Sequence, residues 1–430
     1  MKITVLAYNL RVGGGLSVGR NIIASLRRVA DKHEYLILVP AGVGYEEVQF
    51  PTHTKLEWYH RGGRLNQALY ESFKMPAAVR AFQPDVVLGL GNSGLKKPGA
   101  PQAFLYHQPY LLYADADHPP KSLPVRLELW HVKRRVMASL PATQLVFCQT
   151  QTAADRFKKA FGFRGKVALM PNAVSRFAVP EGDPATPDVF TKLAGKFVLF
   201  CLTRYYPHKG LETLVELFKA EHERLSDVAI LLTIGHDDGP AAMKLLESIK
   251  DPRVAPRLIN LGRLNQKELL GYFRNARGMI LPSLLESFSG TYLEAMQFGC
   301  PILTSDRDFA REVCGDAALY FEPRQSASIR DAILKLKSDA SLATKLIETA
   351  HRRAEAYIRS WDDIVADAVR ELAAIAEEGP RAQGAEGPRE LEKGPRGQGP
   401  EGTREETGIE GSKDQGNMDA RAEPGASTRR

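Results

Sequence analysis

Short apolar runs rich in β-branched residues recur along the chain, separated by longer stretches with the spacing of amphipathic helices. This alternation predicts βαβ units, in which helices connect buried parallel strands. The first runs are Ile3 to Ala7, Tyr35 to Val39, Asp85 to Leu90, Ala103 to His107, Gln144 to Cys148 and Lys166 to Met170. A parallel sheet with helices on its faces is therefore predicted for the first part of the chain.

The alternation stops between about Val179 and Lys196, where Pro and Gly cluster. A second series of strand-like runs follows: Phe197 to Leu202, Val228 to Ile234, Leu258 to Leu261, Gly278 to Pro282, Pro301 to Thr304 and Ala318 to Phe321. We therefore predict an α/β protein with two Rossmann-like domains, residues 1–178 and 179–360. A ligand cleft is expected between the carboxyl ends of the two sets of strands.

The last folded element is predicted to be a helix over residues 361–378. Its apolar positions recur with helical spacing: Ile364, Ala368, Val369, Leu372 and Ile375. We expect this helix to return to the first domain. Residues 379–430 contain almost no large apolar side chain, so we predict a disordered and dispensable tail.

Composition narrows the class of partner and the compartment. The net charge of +7 favours anionic partners, and the chain shows no nucleic-acid-binding motif. The four cysteines are widely spaced, which indicates reduced core residues and a cytoplasmic protein. The apolar run from Ile3 to Leu10 is read as the first strand rather than a signal peptide, and no run reaches the length of a membrane span.

Two glutamates follow the predicted strand at Gly278 to Pro282. They lie in Leu281-Pro-Ser-Leu-Leu-Glu286-Ser-Phe-Ser-Gly-Thr-Tyr-Leu-Glu294-Ala-Met, which is followed by Phe298-Gly-Cys-Pro301. This segment resembles the paired-glutamate signature of glycosyltransferase family 4, whose members have the GT-B fold. The resemblance extends over residues 1 to 378 and is strongest from Phe197 to Phe321.

The resemblance implies a role for each glutamate. Glu286 is expected to contact the transferred sugar, and Glu294 the ribose hydroxyls of the nucleotide, since an ionised carboxylate accepts two hydroxyl hydrogen bonds. The start of the following helix is expected to bind the donor diphosphate through free backbone N–H groups. This donor-binding stretch consists of Phe288, Ser289, Gly290 and Thr291. The alternative is that Glu294 completes a capping box with Thr291 and Glu286 is a solvated loop residue.

A second motif, Thr203-Arg204-Tyr-Tyr-Pro-His-Lys209-Gly210, follows the first strand of the second domain. The family has an arginine and a lysine at this spacing, both directed at the donor diphosphate. Negative charge accumulates on that group as the sugar leaves, so two fixed cations stabilise the transition state. Arg204 and Lys209 are therefore catalytic and donor-binding candidates.

The first domain contributes a glycine cluster, Gly13-Gly14-Gly15, before a helix predicted to begin near Ser17. Dinucleotide binding is a poor interpretation, because the second strand ends at Pro40 with no acidic residue to hold a ribose. The resemblance places this loop beside the donor cleft, with Gly14 and Gly15 binding the donor. It also implies an active-site histidine at His107, where a structural role is the alternative.

Asn172 matches an asparagine turn of the family. Ser287 and Ser289 depart from the family pattern, because many members have glycine at these positions. The resemblance therefore does not identify the donor sugar.

The resemblance implies a retaining glycosyltransferase that uses a nucleoside diphosphate sugar and a glycan or lipid-linked acceptor, without a metal or other cofactor. Bacterial surface polysaccharide synthesis is the expected setting. Competing interpretations are a metal-dependent GT-A enzyme using Asp115-Ala-Asp117 or Asp306-Arg-Asp308, a sugar-nucleotide epimerase, and an inactive sugar-nucleotide-binding protein. The basic and apolar segment from Val125 to Leu140 favours peripheral contact with an anionic membrane, with a plain surface helix as the alternative.

Overall fold

The computed structural model describes residues 1–60, 62–114, 117–173, 185–265 and 267–379. The predicted tail from residue 380 onwards lies outside this range, as do Asp115 and the predicted boundary between residues 178 and 179. The limits of the two domains therefore stay a prediction. The described residues contain two parallel sheets with helices packed on them.

The first sheet has the strand order β3-β2-β1-β4-β5-β6-β7, and all neighbours are parallel. Most of its strands are apolar along their whole length because helices cover both faces. The strands are Lys2–Leu6 (β1), Glu34–Pro40 (β2), Thr54–Tyr59 (β3), Val86–Gly89 (β4), Gln102–Tyr106 (β5), Leu145–Cys148 (β6) and Lys166–Leu169 (β7). The helices of this domain are Gly13–Val29 (α1), Arg64–Leu69 (α2), Met75–Phe82 (α3), Leu123–Ser139 (α4) and Gln151–Phe161 (α5), with a π-helical turn at Tyr70–Lys74.

Strand β3 is absent from the sequence-based prediction. It lies at the edge of the sheet, and the side chains of Lys55 and Glu57 keep its burial incomplete. Because an edge strand has one neighbour, it tolerates charged residues that a central strand excludes. Its sequence therefore lacks the continuous apolar run by which the other strands are recognised.

The second sheet has the order β10-β9-β8-β11-β12-β13 and is also parallel throughout. Its strands are Phe197–Cys201 (β8), Val228–Leu232 (β9), Leu258–Asn260 (β10), Gly278–Leu281 (β11), Ile302–Ser305 (β12) and Ala318–Phe321 (β13). Its helices are Asp188–Lys192 (α6), Glu212–Glu221 (α7), Pro240–Ser248 (α8), Leu269–Asn275 (α9), Gly290–Gln297 (α10), Asp308–Cys314 (α11), Ser326–Ser338 (α12) and Ala340–Glu355 (α13). The prediction of two parallel α/β sheets is confirmed.

The last described helix, Trp361–Glu378 (α14), returns to the first domain as predicted. Ser360 and Asp363 form a capping box at its start. Its buried face packs against α1, β4 and β5, and the carboxylate of Asp362 is paired with Arg28 of α1 at 2.7 Å. The hydrophobic core of the first domain thus includes residues from the far end of the described chain.

Each sheet reverses its strand order at one point, between β1 and β4 in the first sheet and between β8 and β11 in the second. In open α/β sheets the ligand site lies in the crevice at such a switch point, beyond the carboxyl ends of the strands. The loops that follow these four strands are therefore the structural candidates for a site. Those of the second domain contain Arg204, Lys209 and Glu286, whereas in the first domain the glycine cluster begins α1 after β1 and His107 follows β5.

Candidate active site

Lys209 and Glu286 are in direct contact. Lys209 ends a 3₁₀ turn in the loop between β8 and α7, and Glu286 lies in the loop between β11 and α10. The Nζ atom of Lys209 donates a hydrogen bond to Oε1 of Glu286, and the two side chains are 16% and 7% exposed. The fold thereby joins two motifs that are 77 residues apart in the sequence.

Arg204 lies in the same loop as Lys209 but has a different partner. Its Nε and Nη2 atoms lie 3.2 and 3.1 Å from Oδ1 of Asp238, which is 2% exposed, whereas Arg204 is 48% exposed. Asp238 also accepts hydrogen bonds from the backbone N–H groups of Tyr205 and Gly235 and from Arg263. The carboxylate therefore fixes one edge of the guanidinium and leaves the rest accessible.

The ionised state of Asp238 is favoured by these bonds. Burial alone raises the pKa of the carboxyl, but the hydrogen bonds from Tyr205, Arg263, Gly235 and Arg204 outweigh it, and the pKa is lowered. Asp238 consequently stays charged at neutral pH and can orient Arg204.

Helix α10 starts one residue after Ser289, at the place predicted from the sequence. Ser289 is the N-cap residue, and its side chain makes no capping hydrogen bond. Thr291 is the second residue of this helix and not its N-cap residue. The alternative of a capping box between Thr291 and Glu294 is therefore not formed in this helix. A Cβ atom added to Gly290 would meet no atom within 4 Å, so the first turn has open space beside it. Phe288 packs against a hydrophobic cluster that contains residues of both domains.

Glu294 lies on α10 and is half-buried. Burial raises the pKa of its carboxyl to about 7. Within the described ranges its carboxylate has no hydrogen bond or salt bridge to another residue. A ligand with hydroxyl donors would supply the bonds that the ionised form lacks.

His107 follows β5 in the first domain and is held by Asn92. The backbone N–H of His107 donates to Oδ1 of Asn92 at 2.7 Å, and Nδ2 of Asn92 lies 3.4 Å from Nε2 of the ring. Asn92 has a φ of 69°, a left-handed conformation that asparagine tolerates better than most residues. Burial lowers the pKa of His107 to about 4, so the imidazole is neutral at neutral pH.

The glycine cluster differs from its prediction, since α1 begins at Gly13 rather than near Ser17. Gly13, Gly14 and Gly15 therefore form the first helical turn instead of a loop. A Cβ atom on Gly15 would lie 3.3 Å from Nε2 of His107, and one on Gly13 would lie 2.6 Å from the hydroxyl of Tyr206 in the second domain. At Gly14 the position of a Cβ atom is open, with no atom of another described segment within 4 Å. The absence of side chains lets the helix start approach both neighbours.

The loop carrying Glu286 is also bonded to the first domain. The hydroxyl of Tyr113 donates to the backbone oxygen of Glu286 at 3.2 Å, and the hydroxyl of Thr150 donates to the backbone oxygen of Ser287 at 3.3 Å. Further along, Nε of Arg156 lies 2.6 Å from Oδ2 of Asp308. These contacts place Glu286 where the two domains meet.

Of the two Asp-x-Asp pairs of the GT-A alternative, Asp306 and Asp308 have protein partners, and Asp115 of the other pair lies outside the described residues. Asp306 is paired with Arg311, and Asp308 accepts a hydrogen bond from Arg156 and lies 3.3 Å from the hydroxyl of Tyr113. Two parallel sheets in tandem also contradict a GT-A fold.

Solved structures with the same architecture confirm the class. Sucrose-phosphate synthase of Thermosynechococcus elongatus has a TM-score of 0.66 at 16% identity, with 87% of this chain and 99% of that chain covered. HepE of Anabaena, solved in complex with UDP, has a TM-score of 0.64 at 16% identity, with 87% and 100% covered. The two sheets and their facing loops thus define a protein of the GT-B class.

Family models identify it more closely. The model described as Glycosyltransferase Family 4 matches residues 12–176, and that described as Glycosyl transferases group 1 matches residues 184–353. Together the two matches cover every strand of the two sheets except β1. The two matches identify the chain as a GT-B glycosyltransferase of the family 4 type.

Curated relatives are similar over part of their length. The 2-deoxystreptamine N-acetyl-D-glucosaminyltransferase of Niallia circulans is 27% identical over 36% of this chain and 40% of the relative. The O-antigen chain mannosyltransferase of Salmonella typhimurium is 25% identical over 45% of this chain and 50% of the relative. The GDP-mannose-dependent phosphatidylinositol monomannoside mannosyltransferase of Mycobacterium tuberculosis is 25% identical over 52% of this chain and 60% of the relative. The chain therefore spans about half the length of these relatives.

Several residues around the site were missed by sequence reasoning. Asp238 follows β9, and a search for polar residues after every strand would have found it. Asn92 follows β4 in the same way. Tyr113 carries no such signal, because its importance comes from a contact with the other domain.

Proposed function

We propose that the protein transfers a sugar from a nucleoside diphosphate sugar to a hydroxyl group of a glycan or lipid-linked glycan, with retention of anomeric configuration. The observation that carries this proposal is the buried contact between Lys209 and Glu286 at the switch point of the second sheet. A cation for the leaving diphosphate and a carboxylate for the sugar are thereby held side by side.

In the proposed reaction, the bond between the anomeric carbon and the β-phosphate oxygen breaks, and its electron pair stays on the diphosphate. Lys209, Arg204 and the N–H groups at the start of α10 stabilise that charge. The acceptor oxygen bonds to the same face of the anomeric carbon, and its proton passes to the β-phosphate oxygen of the departing diphosphate. Because these groups supply positive charge, we expect activity without a divalent metal.

The sugar and the nucleotide have separate contacts in this proposal. Glu286 accepts hydrogen bonds from the sugar hydroxyls, and Glu294 accepts those of the ribose. The neutral ring of His107 lies beside Gly15 and faces the sugar, with its Nδ1 atom buried and without a partner among the described residues. Gly14 and Gly15 are the proposed donor contacts at the start of α1, where the side-chain position of Gly14 is open and that of Gly15 adjoins His107.

The names of the relatives support donors of the UDP-sugar or GDP-sugar type. HepE has been solved with UDP, and the mycobacterial relative is GDP-mannose-dependent. The O-antigen mannosyltransferase supports a role in bacterial surface polysaccharide synthesis. We therefore propose a hexosyl donor of one of these two classes.

We propose that the acceptor binds to the first domain. A cavity of about 250 Å³ lies between the end of β3 and α3, and its lining includes Trp58, Tyr59, Asn66, Tyr70 and Lys74. Aromatic faces suit the apolar faces of sugar rings, and the hydroxyl of Tyr70 has no hydrogen-bond partner among the described residues.

We also propose peripheral binding to the cytoplasmic face of an anionic membrane. Helix α4 exposes Leu123, Leu127 and Trp130. Leu69 and Phe73 are also exposed, and a salt bridge between Glu71 and Arg135 links their segment to α4. Exposed basic residues accompany them, namely Lys74, Arg126, Lys133 and Arg134. None of the described helices has the length and apolarity needed to cross a membrane. Apolar side chains beside basic ones are typical of interfacial binding.

Thermal-shift measurements with UDP, GDP, ADP and their sugar conjugates test the donor site. A bound nucleotide raises the melting temperature in proportion to the logarithm of its concentration over Kd. We expect a shift with one base, and then release of that nucleoside diphosphate when the matching sugar conjugate meets an acceptor. Absence of any shift would contradict the proposal, and a new sugar conjugate formed without acceptor would identify an epimerase instead.

A vesicle sedimentation assay tests membrane binding. We expect binding to vesicles containing phosphatidylserine, loss of binding at high salt, and weak binding to pure phosphatidylcholine. The variant Phe73→Ser with Trp130→Ser should bind less than wild type, whereas equal binding of the two proteins would overturn the membrane proposal.

A further inference from the structure

A chain of hydrogen bonds crosses from the first domain to the loop of Glu286. The hydroxyl of Ser287 donates to Oε1 of Gln149 at 2.9 Å, and Nε2 of Gln149 donates to Oδ1 of Asn172 at 2.7 Å. The backbone oxygen of His107 lies 3.2 Å from the same serine hydroxyl as an alternative acceptor. Ser287, Gln149 and Asn172 are called the cross-domain chain below.

The cross-domain chain is largely removed from water. Ser287 is 8% exposed and Gln149 is 5% exposed. A buried polar group costs free energy when it lacks a partner, so each of these side chains depends on the others. A buried network of this kind favours one arrangement of the groups that it joins.

The cross-domain chain lies beside the groups that are proposed to contact the donor sugar. Ser287 is the neighbour of Glu286, and its alternative acceptor belongs to His107, so the hydroxyl lies between the groups proposed to contact the donor sugar from opposite domains. Asn172 is in the turn that precedes the predicted interdomain connection. Many family members have glycine at the position of Ser287, and glycine has no hydroxyl for this contact.

We infer that Ser287 and Gln149 are positioning residues that fix Glu286 relative to His107 across the cleft. The inference rests on the proposed function of Glu286. Neither side chain needs to touch the donor. Their bond holds the loop so that the carboxylate of Glu286 meets the sugar in one orientation, and small displacements of such a group lower turnover.

The test compares Ser287→Ala, Gln149→Ala and the double variant with Ser283→Ala. Ser283 is a matched control, because its hydroxyl lies buried in the same loop and has no hydrogen-bond partner among the described residues. Release of nucleoside diphosphate is measured with UDP-glucose or GDP-mannose, whichever wild type turns over. We expect kcat to fall about tenfold in each single variant, with the donor KM changed less than about twofold.

The double variant separates positioning from independent damage. Since both single variants break the same bond, the double variant should be no slower than the slower single variant. Ser283→Ala should match wild type. Multiplied losses in the double variant, or an equal loss in Ser283→Ala, would overturn the inference.

Amide hydrogen exchange provides a readout that does not depend on activity. Exchange of the backbone around Glu286 and Ser287 should become faster in Ser287→Ala and Gln149→Ala and stay unchanged in Ser283→Ala. If wild type turned over no UDP-hexose or GDP-hexose, the proposed function would fail while this measurement still decided the positioning role. Unchanged exchange in all three variants would contradict that role.

Discussion

The hydroxyl of Tyr113, in the first domain, donates a hydrogen bond to the backbone oxygen of Glu286, in the second. The same hydroxyl lies 3.3 Å from Oδ1 of Asp308, and the guanidinium of Arg156 lies 4.0 Å from the centre of the tyrosine ring. The carboxylate proposed to contact the sugar is thus held by its own domain at the side chain, through Lys209, and by the other domain at the backbone. The active geometry therefore depends on how the two domains meet.

Tyr113→Phe removes this bond and keeps the ring. We expect kcat to fall about fivefold to tenfold, because a hydrogen bond of this kind contributes about 1 kcal/mol. Tyr320→Phe is the matched control, since the hydroxyl of Tyr320 also donates to a backbone oxygen, that of Gly315, at 2.6 Å and lies outside the site. Equal rates for Tyr113→Phe and wild type would show that the backbone bond does not hold Glu286 in place.

Arg204→Ala should slow turnover by about 2 to 4 kcal/mol in activation free energy, because the cation acts on charge that grows during bond cleavage. Binding of the nucleoside diphosphate in the ground state should weaken less than turnover. Arg253→Ala, which breaks an exposed pair with Asp251, is the control. Initial rates and calorimetry measure both effects, and an equal loss of binding and turnover would indicate a ground-state role.

Asp238→Asn tests whether the buried carboxylate orients Arg204. The variant should lower kcat, yet it should have little further effect in an Arg204→Ala background, because both changes act through one guanidinium. Rates of the two single variants and the double variant measure this coupling. Additive losses would show that Asp238 acts independently of Arg204.

The pKa of Glu294, raised to about 7, gives the donor site a pH dependence. The ionised carboxylate accepts ribose hydroxyl bonds, so nucleotide affinity should rise between pH 6 and pH 8. Because the nucleotide phosphate also titrates near pH 6, the quantity to measure is the difference in pH dependence between wild type and Glu294→Gln. Parallel curves for the two proteins would contradict a ribose contact by Glu294.

The same shift predicts an effect on stability. Because the pKa of Glu294 in the folded protein lies above the ordinary glutamate value of 4.5, wild type loses stability as pH rises from about 4.5 to 7. Glu294→Gln should therefore exceed wild type by about 1 to 3 kcal/mol in unfolding free energy at pH 8 and match it at pH 4. Denaturant unfolding at both pH values measures the difference, and a less stable variant at pH 8 would refute the prediction.

The residues that were predicted and those that were missed differ in the kind of signal they carry. Central strands of a parallel sheet are apolar throughout, so their positions can be predicted from the sequence. The polar residues that follow them, such as Lys209 and Glu286, are identified as site candidates by resemblance to the family. The edge strand β3 lacks that pattern. The contacts of Tyr113 with Glu286 and of Gln149 with Ser287 form where two domains meet. No local sequence pattern predicts such contacts.

The most direct test of the donor site is calorimetric binding of the recognised nucleoside diphosphate to Glu286→Gln and Glu294→Gln, measured beside initial rates of transfer. Glu286 is assigned to the sugar, so Glu286→Gln should bind the nucleotide nearly as wild type does and transfer far more slowly. Glu294 is assigned to the ribose, so Glu294→Gln should weaken nucleotide and donor binding alike. The opposite pattern would reverse the two assignments, and wild-type rates in both variants would contradict the site built around Lys209 and Glu286.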